Sequence, residues 1–341
     1  MVLAVSCLIL FFFFAFRGES VGVDTKYYCY VFRQFADIPL KSVFHAATYG
    51  SDAHTWKFDF EPGFRLINKL LSYISVNGQA ITIATGILIF VPLFCFVLSA
   101  SPNVWLSIWL YLTLGIFQTE MNVSRNAIAI FLCYCALPLI RRNRFILYTL
   151  VVVLASTIHQ TALLFLPVFF LVRCVPLNRR RMITILAASL FLGLNFNVFS
   201  PAFQDIVPSR YVKYFTAEND KLIAVAVGIF STFLLCVSTG MLTRDEREHL
   251  IVDEPVDSWM LLLYVCFFAV GIGFASGSRA AALFGPYLIV LIPRILDRIT
   301  DEKRKRAAVI AVAAICFAQY VCRMEINNIG GSMPYCFFWQ N

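Results

Sequence analysis

Residues Ala80–Leu98 form a run of 19 residues without one charged side chain. At about 1.5 Å per residue such a run matches a hydrocarbon layer of about 30 Å, and a chain crossing that layer must satisfy its own backbone hydrogen bonds, as a helix does. Further apolar runs cover Val2–Phe16, Val104–Phe117, Asn126–Ile140, Phe145–Ile158, Thr161–Val172, Met182–Val198, Leu222–Leu242, Trp259–Ala275, Ala280–Leu296 and Ala307–Val321. With 60% hydrophobic and 14% charged residues and a mean hydropathy of +0.77, the chain lies outside the range of soluble domains. The pattern predicts an all-α, polytopic transmembrane helix bundle of about 11 spans.

The 341 residues then read as a single integral membrane domain. Val2–Phe16 lacks a preceding basic region and is followed by Arg17-Gly18-Glu19-Ser20 rather than a small-residue cleavage site, so it reads as a first membrane helix. Residues 17–79 make one long polar segment, residues 80–323 the helix bundle and residues 324–341 a tail. Within the long segment, Glu61-Pro62-Gly63 turns the chain into Phe64, Ile67, Leu71 and Ile74 at helical spacing, with Arg65, Asn68, Lys69 and Ser72 on other faces. This is the pattern of an amphipathic helix lying at the membrane interface.

The formal net charge of +8 reports topology rather than nucleic-acid binding, because basic residues of such chains cluster on cytoplasmic loops. With the N-terminus cytoplasmic, 15 of the 28 basic residues fall in short cytoplasmic connections, among them Arg141, Arg142, Arg144 and the Arg179–Arg181 run. The opposite, outer side then receives Arg17, Asp24, Glu61, Arg125, His159, Arg210, Arg279 and the C-terminal tail. Most of the eleven cysteines sit in or beside apolar runs as small core hydrophobes. Cys29 and Cys336 lie outside those runs, and nothing in the sequence calls for a bridge between them.

A polar break, Gln118-Thr-Glu-Met-Asn-Val-Ser-Arg-Asn126, interrupts the apolar residues between Val104 and Ile140. Charge at membrane depth costs about 2.5–3.5 kcal/mol, so Arg125 needs a reason to be there. Guanidinium groups hold phosphate bidentately and stay charged at any relevant pH, and several of them on one face suit a lipid diphosphate. The blander alternative is that arginines snorkel to the interface and anchor helix ends, which is the better reading for Arg210 and Lys213 taken alone. Arg125 and Arg279, in tight connections between apolar helices, favour function. His159 is the one histidine in an apolar setting and is a candidate general base, with Asp24 and Glu61 as carboxylate alternatives. No His, Asp or Glu pair at ligand spacing lies on the helices that carry these candidates, so no metal and no cofactor is expected.

Several landmarks recur in a known order: Phe16-Arg17-Gly18, Val21-Gly22-Val23-Asp24-Thr25 with Tyr28 and Phe32, Glu61-Pro62-Gly63-Phe64, Ser124-Arg125-Asn126-Ala127-Ile128-Ala129, Ile158-His159-Gln160-Thr161-Ala162, Arg210-Tyr211 with Tyr214, and Ser278-Arg279. This ordered set resembles the EpsG family of Wzy-like polysaccharide polymerases, with Arg125-Asn126 standing where Arg-Gln is usual. The resemblance implies a multi-pass protein of the bacterial inner membrane that joins undecaprenyl-diphosphate-linked oligosaccharide units at the periplasmic face. It implies membrane lipid around the chain, and a flippase and a chain-length regulator as partners. In that setting Arg125, Arg279, Arg210 and Arg17 would hold the leaving diphosphate. His159, or failing it Asp24 or Glu61, would take the acceptor proton. A flippase or carrier, a membrane O-acyltransferase and an export scaffold are the rival readings. Charges gathered at one face rather than at mid-helix positions rank the carrier second.

Overall fold

The computed structural model describes residues 2–44, 48–49, 56–57, 60–196, 198–199 and 255–340. Helices dominate, and among the described residues the strands are a two-residue antiparallel pairing of Thr48–Tyr49 with Trp56–Lys57. Four described helical stretches are long and apolar enough to cross a membrane: Gln79–Ala100, Ser124–Arg141, Gly277–Asp297 and Glu302–Ile326. Ala4–Ala15, Val104–Thr113, Phe145–Ile158, Gln160–Cys174 and Pro255–Val270 are apolar but shorter. Four stretches of spanning length thus stand where hydropathy predicts eleven, and the expected Leu222–Leu242 span lies outside the described residues.

The chain forms two compact units, residues Met1–Phe165 with Leu296–Asn341, and residues Leu166–Ile295. In the first unit α1 (Val2–Ala15) packs on α4 (Gln79–Ala100), α4 on α7 (Ser124–Arg141), and α7 on α8 (Phe145–Ile158). Their shared core is aromatic: Phe90, Tyr111, Phe117 and Phe131 meet edge to face at centroid distances of 6.0–6.5 Å, a geometry that adds to simple area burial. Between α4 and α7, helix α5 (Val104–Thr113) starts at Asn103, whose side chain accepts from the Leu106 amide at 3.1 Å. It stops before Gly115, whose φ of +73° is costly for any residue with a Cβ. The apolar run Val104–Phe117 therefore does not make one helix: α6 (Ile116–Asn122) starts anew at its end and continues into the polar break.

Two helices of the long polar segment, α2 (Thr25–Gln34) and α3 (Pro62–Ser72), also belong to this unit. On α3 two residues expected on its polar faces, Asn68 and Lys69, are buried. Lys69 Nζ donates to the carbonyls of Phe35 and Ala36 at 3.0 and 3.2 Å, just past the end of α2, where a helix leaves carbonyls unpaired and favours a cation. Cys29 and Cys336 are both free thiols, Cys29 donating to the Gly78 carbonyl at 3.4 Å and Cys336 lying 3.1 Å from the Ser20 hydroxyl.

In the second unit α9 (Leu166–Cys174) and α10 (Arg179–Leu194) are followed by α11 (Pro255–Val270), α12 (Ala275–Phe284) and α13 (Leu288–Asp297). A Cβ on Gly193 of α10 would lie 2.0 Å from the Ala269 carbonyl oxygen of α11, so glycine lets these two backbones meet. Asp257, 2% exposed, accepts from Arg294 at 2.5 Å and from the Tyr287 hydroxyl, which pairs and satisfies a buried charge. The chain then returns to the first unit as α14 (Glu302–Asn327), capped by Asp301, which accepts from the Lys303 and Arg304 amides at 2.9 and 3.0 Å. Along α14, Ala313 accepts from the Trp109 indole at 3.0 Å, Tyr320 from Gln118 at 2.7 Å, and Arg323 donates to the Leu114 carbonyl at 3.1 Å. The tail folds back onto the connection after α1: Asn122 receives the Val23 amide and donates to the Gly330 carbonyl, both at 2.6 Å.

Candidate active site

Glu61 immediately precedes α3, with Pro62 at the first helical position, and its side chain makes no capping bond to that helix. It is therefore available to other elements. One carboxylate oxygen, Oε2, accepts from Arg125 at 2.6 Å. The other, Oε1, lies 3.0 Å from His159 Nδ1 and accepts from the Gln160 amide at 3.2 Å. Arg125 sits in the first turn of α7, and His159 is the extended residue that ends α8. Three segments distant in sequence are thus joined at one carboxylate. Burial by itself raises a carboxyl pKa, but here the hydrogen bond from His159 and the charges of Arg125 and His159 prevail, holding Glu61 down to about 2.

Aromatic rings surround the guanidinium. Its carbon lies 4.4 Å from the centroid of Phe60, 5.8 Å from Phe64 and 5.9 Å from Tyr28, distances at which ring faces attract a cation. Phe60 and Phe64 touch edge to face at 5.2 Å, and Tyr28 lies 5.8 and 6.0 Å from the two. The side chains of Arg125, Glu61 and His159 are 18%, 16% and 23% exposed, enough contact with the exterior for a ligand and enough enclosure to strengthen charge interactions. Burial raises the Tyr28 phenol above its ordinary pKa against the opposing pull of Arg125, so it stays neutral and able to share its oxygen.

Close packing sets the position of Glu61. A Cβ on Gly63 would lie 2.2 Å from Thr157 Oγ1 and 2.8 Å from the Thr157 carbonyl oxygen. Glycine thus brings the start of α3 against the last turn of α8, two residues before His159. A second tie joins α7 to the turn after α8, where the Thr161 hydroxyl donates to Asn126 at 2.9 Å.

The other candidates are placed as follows. Arg17 is 1% exposed, and its guanidinium nitrogens donate to Thr25 Oγ1 at 3.2 Å, the Phe14 carbonyl at 2.5 Å and the Met121 carbonyl at 3.0 Å. Those contacts tie α1, α2 and α6 together. Asp24 opens α2 without a side-chain cap bond, one turn before Tyr28. Arg279 is an exposed residue of α12 in the second unit. Arg210 lies outside the described residues. Sequence reasoning missed Tyr28, Phe60 and Phe64 as the surroundings of Arg125, although Tyr28 and Phe64 stand inside motifs it singles out and Phe60 directly precedes one. It also passed over Glu120, which is buried in α6 and accepts from the Tyr111 hydroxyl at 2.6 Å. Burial pushes that carboxyl up to about 8, so it is mostly protonated at neutral pH. Among the described residues no three His, Cys, Asp or Glu side chains converge as metal ligands.

The model of the EpsG family matches residues 1–337, nearly the whole chain. No curated protein and no solved structure matches it.

Proposed function

Because the chain belongs to the EpsG family, a Wzy-like polymerase family of polysaccharide biosynthesis, we propose that it polymerises undecaprenyl-diphosphate-linked oligosaccharide at the periplasmic face of a bacterial inner membrane. The N-terminus is cytoplasmic and the C-terminus periplasmic in this reading, and a flippase and a chain-length regulator work alongside it. One observation carries it within the chain: a half-buried arginine, ringed by aromatic side chains and joined through a carboxylate to a histidine.

The reaction needs a place for a leaving diphosphate and an acceptor for one proton. Arg125 holds the diphosphate as its charge develops, a fixed charge aimed at the transition state. His159 takes the proton of the acceptor sugar hydroxyl. The hydroxyl oxygen bonds to the anomeric carbon of the growing chain, the bond from that carbon to the diphosphate breaks, and the electron pair leaves with the carrier diphosphate. The Arg125 guanidinium supplies the charge compensation, and the transfer is metal-independent. Arg17 is left out of the diphosphate set in this reading, because its nitrogens donate to Phe14, Thr25 and Met121.

Cells carrying Arg125→Ala or His159→Ala at equal membrane levels test this through the sizes of their lipid-linked glycans. Single repeat units left on the carrier in both are expected. Long chains in both refute the assignment, and repeat units accumulating on the cytoplasmic face point to a flippase instead.

A further inference from the structure

We propose that Glu61 is the positioning residue of this site, fixing His159 as the Nδ1–H tautomer so that Nε2 is the atom that receives the acceptor proton. It rests on His159 being the base, as proposed above, and goes beyond it by giving the carboxylate a role and the proton an atom.

The geometry leaves little choice of tautomer. A carboxylate paired with a guanidinium at 2.6 Å accepts hydrogen bonds and cannot donate. His159 Nδ1, 3.0 Å from Oε1, must therefore carry the hydrogen between them. In a neutral ring the lone pair then belongs to Nε2. Glu61 itself is badly placed to act as the base, because Arg125 occupies one oxygen and His159 with the Gln160 amide occupies the other. Its low proton affinity agrees with that. Asp24, the third candidate, stands at the start of α2, one turn before Tyr28.

The carboxylate is also held where it can do this. Pro62 fixes the backbone next to it, and the Gly63–Thr157 contact sets the spacing of α3 from α8. Phe60 and Phe64 pack about the guanidinium on the same segment. When the hydroxyl proton reaches Nε2, the ring becomes an imidazolium with the negative carboxylate already bonded to its other nitrogen. The proton later passes to water, and the ring returns to the same tautomer because Glu61 still holds Nδ1–H. A group that orients a histidine from behind acts through that histidine, and its effect vanishes when the histidine is gone.

The experiment uses the purified full chain in lipid vesicles with a lipid-linked repeat unit as substrate, and measures kcat and KM for Glu61→Asp, Glu61→Gln, His159→Ala and the double variant Glu61→Gln/His159→Ala. Glu61→Asp keeps a carboxylate for folding but draws it back from His159 by one methylene. It is expected to lower kcat about tenfold or more with KM little changed. His159→Ala is expected to lower kcat by about 10²–10⁴-fold, and adding Glu61→Gln to it to cost less than about threefold further. A Glu61→Asp variant with wild-type kcat overturns the proposal, as does a Glu61→Gln loss that multiplies in full on the His159→Ala background. If His159→Ala turns over like the wild type, the assignment of His159 as base fails instead, which is a separate result.

Discussion

Gly63→Ala adds one methyl group where α3 meets α8, and its consequence for the site can be worked out. The new Cβ would lie 2.2 Å from Thr157 Oγ1 and 2.8 Å from the Thr157 carbonyl oxygen. The hydroxyl can rotate away, but the carbonyl belongs to the α8 backbone. Restoring a contact of about 3.4 Å to it requires α3 to retreat by about 0.6 Å. Carried to Glu61, the same retreat stretches its 3.0 Å bond to His159 to about 3.6 Å, where it no longer counts as a hydrogen bond. The overpacking costs about 1–3 kcal/mol of stability, and a displacement of this size at a catalytic group lowers turnover by about 10- to 10²-fold. Initial rates of glycan extension at matched membrane levels, together with thermal unfolding in detergent, read both effects. Thr157→Ala added to Gly63→Ala removes the hydroxyl contact and leaves the carbonyl, so recovery is expected to be partial. A Gly63→Ala protein with wild-type rate and stability would refute the claim that this contact sets the site.

Arg17→Gln is expected to lower the amount of folded protein rather than the chemistry, because it strands buried acceptors at Phe14 and Met121, at about 1–3 kcal/mol for each. Normal membrane levels with loss of polymer would instead restore Arg17 as a diphosphate ligand. Lys69→Met removes the cation from the end of α2 and is expected to reduce stability by about 1–3 kcal/mol, seen as a lower midpoint in thermal unfolding. Acid should unmask Glu61. Its folded-state value of about 2 lies below the ordinary 4.5, so its ionised contacts contribute about 3 kcal/mol that is fully present above pH 5 and lost as pH falls from about 4.5 toward 2. The stability gap between wild type and Glu61→Gln is therefore expected to shrink as pH falls below 5; a gap that stays constant down to pH 2 contradicts the pairing.

The sequence made the helical membrane class and the ingredients of the site legible, because hydropathy and stray charges are local signals. Helix α8 runs over Phe145–Ile158, the same residues as its apolar run. Arg125, Glu61 and His159 each stood out as polar groups at helix boundaries, and the alternation of expected spans placed them on one side. Their junction was not legible, since Glu61 is 64 residues from Arg125 and 98 from His159, and no periodicity links such positions. Hydropathy cannot see backbone conformation, as at Gly115, where one apolar run is divided between two helices. Lys69 was assigned to a polar face because a lysine is usually solvated, whereas here the end of α2 supplies its partners. Arg17 looked like Arg125 in sequence, and only the structure shows carbonyls taking up its donors. Glu120 stood in the polar break beside Arg125, and only the structure shows that it is buried against the Tyr111 hydroxyl.

The central claim is that this chain by itself joins lipid-linked repeat units. The most direct measurement places the purified protein in vesicles containing only a lipid-linked repeat unit and follows both glycan length and released carrier diphosphate. One diphosphate-bearing carrier freed for every linkage formed, with chains growing beyond two units, is the expected result. Repeat units that cross the bilayer without growing, or chains that never lengthen although the protein is folded, contradict it.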